Sequence, residues 1–361
     1  EEEKDIFMKV LWLSHLVPYP PKGGVLQRSY HLLRELARYN EVDLLCLNQK
    51  ALMGALFESV SAGLEEAREV FSGFCRSFEV YDIPADSFGF GRYGLALKSL
   101  FHEPYTINWL KSDEYASALS KWLKQGDYDL VDFDTISMLP YFHMVPLGKA
   151  TTLDHHNIES AMLLRRASHE RNLLKRLYFW QEGVRLARYE RRFCPRFSLN
   201  FTCSDLDSER LKEVAPDANV CTIPNGVDLD YFRPQGVPAK PERLIFVGRM
   251  SWYPNISAVE YIAKRLWPVL KQKRPGLECH IIGANPPKLI CSLSDKLMDF
   301  YVRGFVDDIR PELESAAVYV CPIMDGGGTK LKILDAMAME KAIVAHPVAC
   351  EGIDVTHGQD I

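Results

Sequence analysis

A short apolar run, a glycine-bearing loop, an amphipathic stretch and a second apolar run open this chain in that order. No other feature constrains its fold as tightly. VLWLS (residues 10–14) reads as a buried strand, residues 17–24 as a Pro/Gly loop, and residues 25–39 as a helix with Leu26, Leu32, Leu33 and Leu36 on one face. VDLLCL (42–47) reads as the next strand. Two parallel strands need a crossover of this kind, so the order builds a parallel sheet. Further strands are expected at 78–83, 130–133, 150–153 and 199–203. A second series follows the turn-rich stretch at 224–243. Its strands are expected at 243–248, 277–282, 300–304, 317–322 and 342–346, and its helices at 255–273, near Leu293, near Ile309 and at 329–339. The expected fold class is therefore α/β, with two doubly wound domains. Residues 8–204 form the first, 243–361 the second, and 205–242 hold the remaining first-domain elements and a linker. A length of 361 residues suits two cores of ordinary size.

The overall balance excludes several classes. Forty-three Lys and Arg against 48 Asp and Glu give a net charge of −5, which provides no footprint for nucleic acid. No apolar run approaches the roughly 18–20 residues of a membrane span. The acidic start lacks the layout of a signal peptide, so a cytoplasmic location is expected. Nine scattered cysteines without a CxxC pair read as small buried hydrophobes in a reducing compartment. No GxGxxG is present, which places a nicotinamide oxidoreductase far down the order of readings.

In doubly wound sheets, ligands sit beyond the carboxyl ends of the strands, so the loops after strands are where chemistry is sought. Gly23 and Gly24 lie between a strand and a helix start, where backbone can approach a phosphate or simply turn. TTLDHHNIES (151–160) puts His155 and His156 beside Asp154, Asn157 and Glu159. The group either positions sugar hydroxyls and a proton, or caps the next helix through Asp154 or Asn157. DGGGTKLKILDAMAMEKAIV (325–344) places three glycines before a helix, free to offer N–H groups to a diphosphate or to flex with solvated lysines. Lys330 in the first turn opposes the helix dipole unless an anion sits there. Residues 165–196 carry ten Lys and Arg against three Glu, interleaved with Tyr178, Phe179, Trp180, Tyr189 and Phe193. That face either lies against an anionic membrane or holds a phosphorylated lipid acceptor, or it is a solvated helix with its aromatics in the core. Asp132-Phe133-Asp134 has the form of a metal-holding Asp-x-Asp, but no further ligand set accompanies it in sequence.

Together, PPKGG, HHNIES, CSDLDSERL, IPNGVDLDYFRP, FVGRMSWYPN, VRGFVDDIRPELESAAVYVCP and GGGTKLKILDAMAMEKAIVAHP resemble the retaining GT-B glycosyltransferases of the "glycosyl transferases group 1" family, over nearly the whole chain. The resemblance implies two Rossmann-like domains facing across a cleft. It implies a UDP- or GDP-sugar donor, a glycan or lipid-linked acceptor, and a role in surface polysaccharide or lipopolysaccharide assembly. No metal or other cofactor is expected, and the location becomes cytoplasmic, at the inner face of the membrane. Carried over, Gly23 and Gly24 lie near the donor phosphates. His156, rather than His155, contacts the transferring sugar with Asn157 beside it. Arg249 neutralises the diphosphate, and Asp335 takes the place of the glutamate that bonds the ribose hydroxyls.

The sequence departs from the family at three places. The lysine usually found a few residues after the arginine is replaced by Pro254 and Asn255. The first carboxylate of Glu-x7-Glu is Gly327. The family's final helices are not expected in this chain. Lys330 or Lys332, with the N–H groups of Gly327, Gly328 and Thr329, are the expected substitutes at the diphosphate. A GT-B sugar-nucleotide epimerase, which needs no acceptor, and a catalytically weak nucleotide-sugar-binding protein are the alternatives.

Overall fold

Strand β1 (Lys9–Ser14) is buried on both faces except at Lys9, and its alternation splits the first core in two. Val10 and Trp12 pack with Leu44, Cys46 and Phe71, whereas Leu11 and Leu13 pack with Leu45, Phe133 and Leu153 on the other side. Each fully buried leucine there contributes roughly 1.5–3 kcal/mol. The computed structural model describes residues 7–86, 91–100, 103–250 and 252–361, without the side chains of 91–93. The acidic start at 1–6 and Ser251 of the FVGRMSWYPN motif thus lie outside the described residues. The chain divides into two units, Glu1–Pro224 and Asn225–Ile361.

The first unit continues through α1 (Gly24–Ala37), β2 (Glu41–Asn48), α2 (Val60–Ser72), β3 (Ser77–Asp82), α3 (Asp113–Gln125), β4 (Leu130–Phe133), β5 (Ala150–His155), α4 (Glu159–His169), α5 (Leu173–Phe193), β6 (Leu199–Thr202), α6 (Asp205–Val214) and β7 (Val220–Thr222). The sheet order is β3-β2-β1-β4-β5-β6-β7, and every pairing among the described residues is parallel. Serines start three of the helices, with Ser59 accepting from the Ala62 N–H at 3.1 Å ahead of α2. Ser112 accepts from the Tyr115 N–H ahead of α3, and Ser204 from the Asp207 N–H at 3.1 Å ahead of α6.

The second unit holds β8 (Lys240–Val247), α7 (Tyr253–Tyr261), α8 (Trp267–Lys273), β9 (Glu278–Ile282), β10 (Phe300–Gly304), α9 (Arg310–Ser315), β11 (Ala316–Cys321), α10 (Leu331–Ala338) and β12 (Ala342–Ala345), with sheet order β10-β9-β8-β11-β12. Its core gathers Phe246, Ile281, Phe300, Tyr319 and Ile333. The turn-rich segment before β8 is tied to this unit. Glu314 Oε1 accepts the N–H groups of Gln235, Gly236 and Val237 at 2.7, 2.6 and 2.9 Å, and Arg310 lies 4.0 Å from the Tyr231 ring centre. The division between the units thus falls inside the 205–242 stretch, with α6 and β7 on one side and residues 225–242 on the other.

Four local expectations are corrected. The helix expected at 255–273 is interrupted at Ile262–Leu266 by a wide turn in which the Trp267 N–H bonds Ile262 O. Pro268 follows, without an N–H and with a ring that crowds the preceding turn. The helix expected from Thr329 begins at Leu331, because Lys330 has φ −87°, ψ 89° and serves as the N-cap. Strand β5 runs two residues further than expected, to a buried His155. Of the cysteines read as buried, Cys221 and Cys291 are exposed and Cys350 is partly so; all nine are free thiols.

Both sheet orders contain a point where the chain reverses its direction of winding, between β1 and β4 and between β8 and β11. The crevice beyond the strand ends at such a point is open to a ligand.

Candidate active site

At the first of these points, the residue after β4 meets the residue after β1. Asp134 is fully buried, and its N–H bonds Leu13 O at 3.1 Å. Its carboxylate has four partners. Oδ2 receives Ser14 Oγ at 2.9 Å and faces His15 Nδ1 at 2.9 Å; Oδ1 receives Ser29 Oγ at 2.9 Å and faces His156 Nε2 at 3.1 Å. One carboxylate thereby fixes two imidazoles whose ring centres are 5.7 Å apart. Burial alone would push the Asp134 carboxyl up; His156 and His15 outweigh it and hold the group below the carboxylate range. Burial likewise opposes charge on His156, but Asp134 first, and then Asp154, raise its pKa above the ordinary value.

A second layer supports these groups. Arg28 grips Asp154 with both prongs, Nε–Oδ2 at 2.8 Å and Nη2–Oδ1 at 2.7 Å, and donates Nη1 to Ile223 O at 2.8 Å. Asp154 Oδ2 stands 3.9 Å from His156 Nε2. Asp132 belongs to this layer as a buried carboxyl. Burial drives its pKa far up against the opposing bond from Thr152, and its Oδ2 has no partner among the described residues.

Adjacent residues at a strand end point to opposite sides, and this separates the paired histidines. His155 turns into the core, with Nε2 at 3.2 Å from Asn200 Oδ1, and burial lowers its pKa. His156 turns to Asp134. Neither Asp154 nor Asn157 caps α4: Ile158 is the N-cap residue, and Glu190 of α5 accepts the Ser160 N–H at 3.1 Å. The Glu159 carboxyl beyond them is pushed up to about 6 by burial, against His156 and Asn157. Gly23 (φ 101°) and Gly24 are exposed at the start of α1, and open space surrounds the position of a Gly23 Cβ.

At the second point, β8 is followed by Gly248 and Arg249. Gly283, after β9, comes so close that a Cβ on it would lie 1.8 Å from Gly248 O. Arg249 is half-buried, burial lowers its pKa, and its guanidinium has no partner among the described residues. A half-buried cation of this kind is a standing site for an anion.

The glycine loop after β11 faces the same end of the sheet. Gly326 and Gly328 have φ of 106° and 63°, a region that side chains disfavour. Tyr253 donates its hydroxyl to Asp325 Oδ2 at 3.0 Å, and the Gly326 N–H bonds Asp325 Oδ1 at 2.7 Å. Lys330 is buried and donates Nζ to the carbonyls of Gly327 and Gly328, both at 2.7 Å, so its ammonium braces the loop. Lys332 reaches Asn255 Oδ1 at 2.5 Å, the residue standing where the family's lysine is missing. Its ammonium also lies 5.2 Å from the Phe246 ring centre and 5.8 Å from that of Trp252, and burial lowers its pKa to about 8. Thr329 is half-buried before the N-cap, and Asp335 is half-buried one turn into α10.

The sequence reading named His156 and missed His15, Arg28 and Ser29 beside it, and it weighed Asp134 only as a metal ligand. The sheet order supplies the missing signal: His15 and Asp134 directly follow the two strands that flank the reversal. The potential ligand atoms of His15, Asp134 and His156 all lie within 4.8 Å of one another, so a divalent cation is chemically conceivable there. The four protein contacts of Asp134 compete with it.

Comparison with known proteins bears on both units. Residues 22–231 match the model of Glycosyltransferase Family 4, and residues 241–360 match that of Glycosyl transferases group 1. An uncharacterized 44.6 kDa protein of the Klebsiella pneumoniae cps region is 21% identical over 126 residues, 33% of this chain and 32% of that protein; the match spans about a third of that relative's length. Among solved structures, a glycosyltransferase from Rickettsia africae superposes with a TM-score of 0.58 at 13% identity, covering 94% of this chain and 79% of that one. Anabaena HepE in complex with UDP and glucose gives 0.57 at 14%, covering 94% and 80%. TarM of S. aureus, in complex with UDP and other ligands, gives 0.61 at 11%, covering 94% and 85%. At these identities the likeness is one of fold, and it extends over both units.

Proposed function

The chain belongs to the group 1 glycosyltransferases, and we propose that it moves a sugar from a UDP-sugar to a glycan or lipid-linked acceptor, with retention of configuration and without a metal. The observation that carries this reading is Arg249: a half-buried guanidinium without a partner among the described residues, beside a loop of glycines at the reversal of the second sheet. A diphosphate supplies the missing counter-charge. Its oxygens gain negative charge as the bond to the anomeric carbon breaks, and Arg249, Lys332 and the N–H groups of Gly327 and Gly328 stabilise that charge. The UDP-bound neighbours favour UDP over GDP, and Asp335 accepts the ribose hydroxyls.

In the first unit, His156 orients the transferring sugar and Asn157 assists. The acceptor oxygen attacks the anomeric carbon on the face that the diphosphate leaves. The acceptor proton passes to the departing phosphate oxygen, and no covalent sugar–enzyme bond forms. Asp134, being buried, touches no substrate and acts as a positioning residue through His15 and His156. The cps-region relative supports a role in surface polysaccharide assembly. Among the described residues, no helix is long and apolar enough to cross a membrane.

The test is calorimetric titration of UDP and GDP, each with and without EDTA. UDP binding that persists in EDTA and is lost in Arg249→Ala is the expected result. Loss of binding in EDTA overturns metal independence and directs attention to His15, Asp134 and His156. Release of UDP from a UDP-sugar only when acceptor is present separates transfer from epimerisation and from binding alone.

A further inference from the structure

The chain leaves the body of the first unit at the turn between α4 and α5. Every residue from Arg171 to Leu177 is exposed there. Asn172 caps α5 by accepting the N–H groups of Leu174 and Lys175, both at 3.1 Å, so the projecting first turn is a formed helix. Leu173, Leu177 and Trp180 follow at i, i+4 and i+7 and share one face, and Leu174 adjoins it. Their exposures are 76%, 60%, 53% and 80%. Four large apolar side chains at the end of one helix are an unusual concentration for a surface turned only to water.

Cations ring this tip. Residues 165–180 carry Arg165, Arg166, Arg171, Lys175 and Arg176 against Glu170, a net charge of 5 − 1 = +4 within a chain of net −5. Arg166 lies 3.9 Å from the Phe179 ring centre and covers the base of the tip. Arg171, Lys175 and Arg176 are exposed and have no carboxylate partner among the described residues.

We propose that the α4–α5 tip docks on an anionic lipid bilayer, inserting Leu173, Leu174, Leu177 and Trp180 at the headgroup boundary while Arg171, Lys175 and Arg176 pair with lipid phosphates. Charge selects this occupant over a second copy of the chain, since a symmetric dimer through the tip would set +4 against +4. Aromatic and aliphatic side chains flanked by Lys and Arg match the depth profile of a membrane interface. The surface lies on the first unit alone and does not depend on the donor chemistry proposed above.

The experiment is sedimentation of the full chain with vesicles of phosphatidylcholine alone or with added phosphatidylglycerol. Binding is expected only to the anionic vesicles and should weaken with salt, with a blue shift of fluorescence that Trp180→Phe diminishes. Lys175→Glu/Arg176→Glu should weaken binding by at least about fivefold per cation lost. Leu174→Glu/Leu177→Glu should abolish it with an unchanged unfolding transition, because both side chains are exposed. Absence of binding to anionic vesicles, or binding that survives both double variants, overturns the proposal. A dimer in light scattering that Leu174→Glu/Leu177→Glu splits also overturns it and assigns the tip to self-association. UDP titration of the same variants should be unchanged, which keeps a failed docking surface distinct from a failed donor site.

Discussion

Raising the pH should weaken donor binding through Lys332, and the structure sets the size of the effect. Burial between Asn255, Phe246 and Trp252 lowers this ammonium's pKa from 10.5 to about 8. About nine-tenths of the free protein then carries the charge at pH 7, and about one-tenth at pH 9. A diphosphate selects the charged form, so binding at pH 9 must first restore the proton. UDP affinity should fall about tenfold between pH 7 and pH 9, or about 1.4 kcal/mol. Calorimetry in buffers of different ionisation enthalpy should register proton uptake on binding near pH 8. Lys332→Arg keeps its charge throughout and should abolish the uptake. Stability of the empty protein should move the other way. The unfolded chain holds this proton up to about pH 10.5, so unfolding becomes harder as pH rises from about 8 towards that value. Flat affinity from pH 7 to 9 without proton uptake would refute the assignment of Lys332 to the diphosphate.

Four further outcomes follow from the geometry. Asp134→Asn leaves two imidazoles facing an amide and should destabilise the fold by about 2–5 kcal/mol in a denaturant titration; because Asp134 is held low, the wild type alone should lose this increment as pH falls from about 4 downward. In the same variant the NMR titration of His156 should move from above its ordinary value to below it, since burial remains and its main counter-charge is gone; an unmoved titration would remove Asp134 from the site. His156→Ala should reduce turnover far more than UDP affinity, and equal losses would contradict its role at the sugar. Gly283→Ala forces a methyl to within 1.8 Å of Gly248 O and should lower the unfolding midpoint by an amount equivalent to about 1–3 kcal/mol or more.

The unbroken apolar run Val10–Leu13 of β1 made the two-faced parallel sheet legible, because a strand buried on both faces is apolar at nearly every position. The second sheet was legible for the same reason at Phe246, Ile281 and Tyr319. Helix ends were less so. Pro268 marks the break after Ile262–Leu266, but the proline alone does not reveal that the preceding turn widens rather than stops. The start of α10 slipped by two residues, since the dihedrals of the glycine loop and of Lys330 are set by the ammonium's bonds to Gly327 and Gly328.

The sequence by itself determined the α/β class, the two-unit order, the family, and the loops at which His156, Arg249 and the glycines occur, because periodicity and local turn chemistry act over a few residues. Only the tertiary structure decided which groups meet. His15 and Asp134 are 119 positions apart and Lys332 and Asn255 are 77 apart, brought together by the reversal of winding in each sheet. It also decided that Lys330 braces its loop while Lys332 lies against Asn255. Two lysines of the same type, two residues apart, differ because helical geometry and burial send their ammonium groups to different partners.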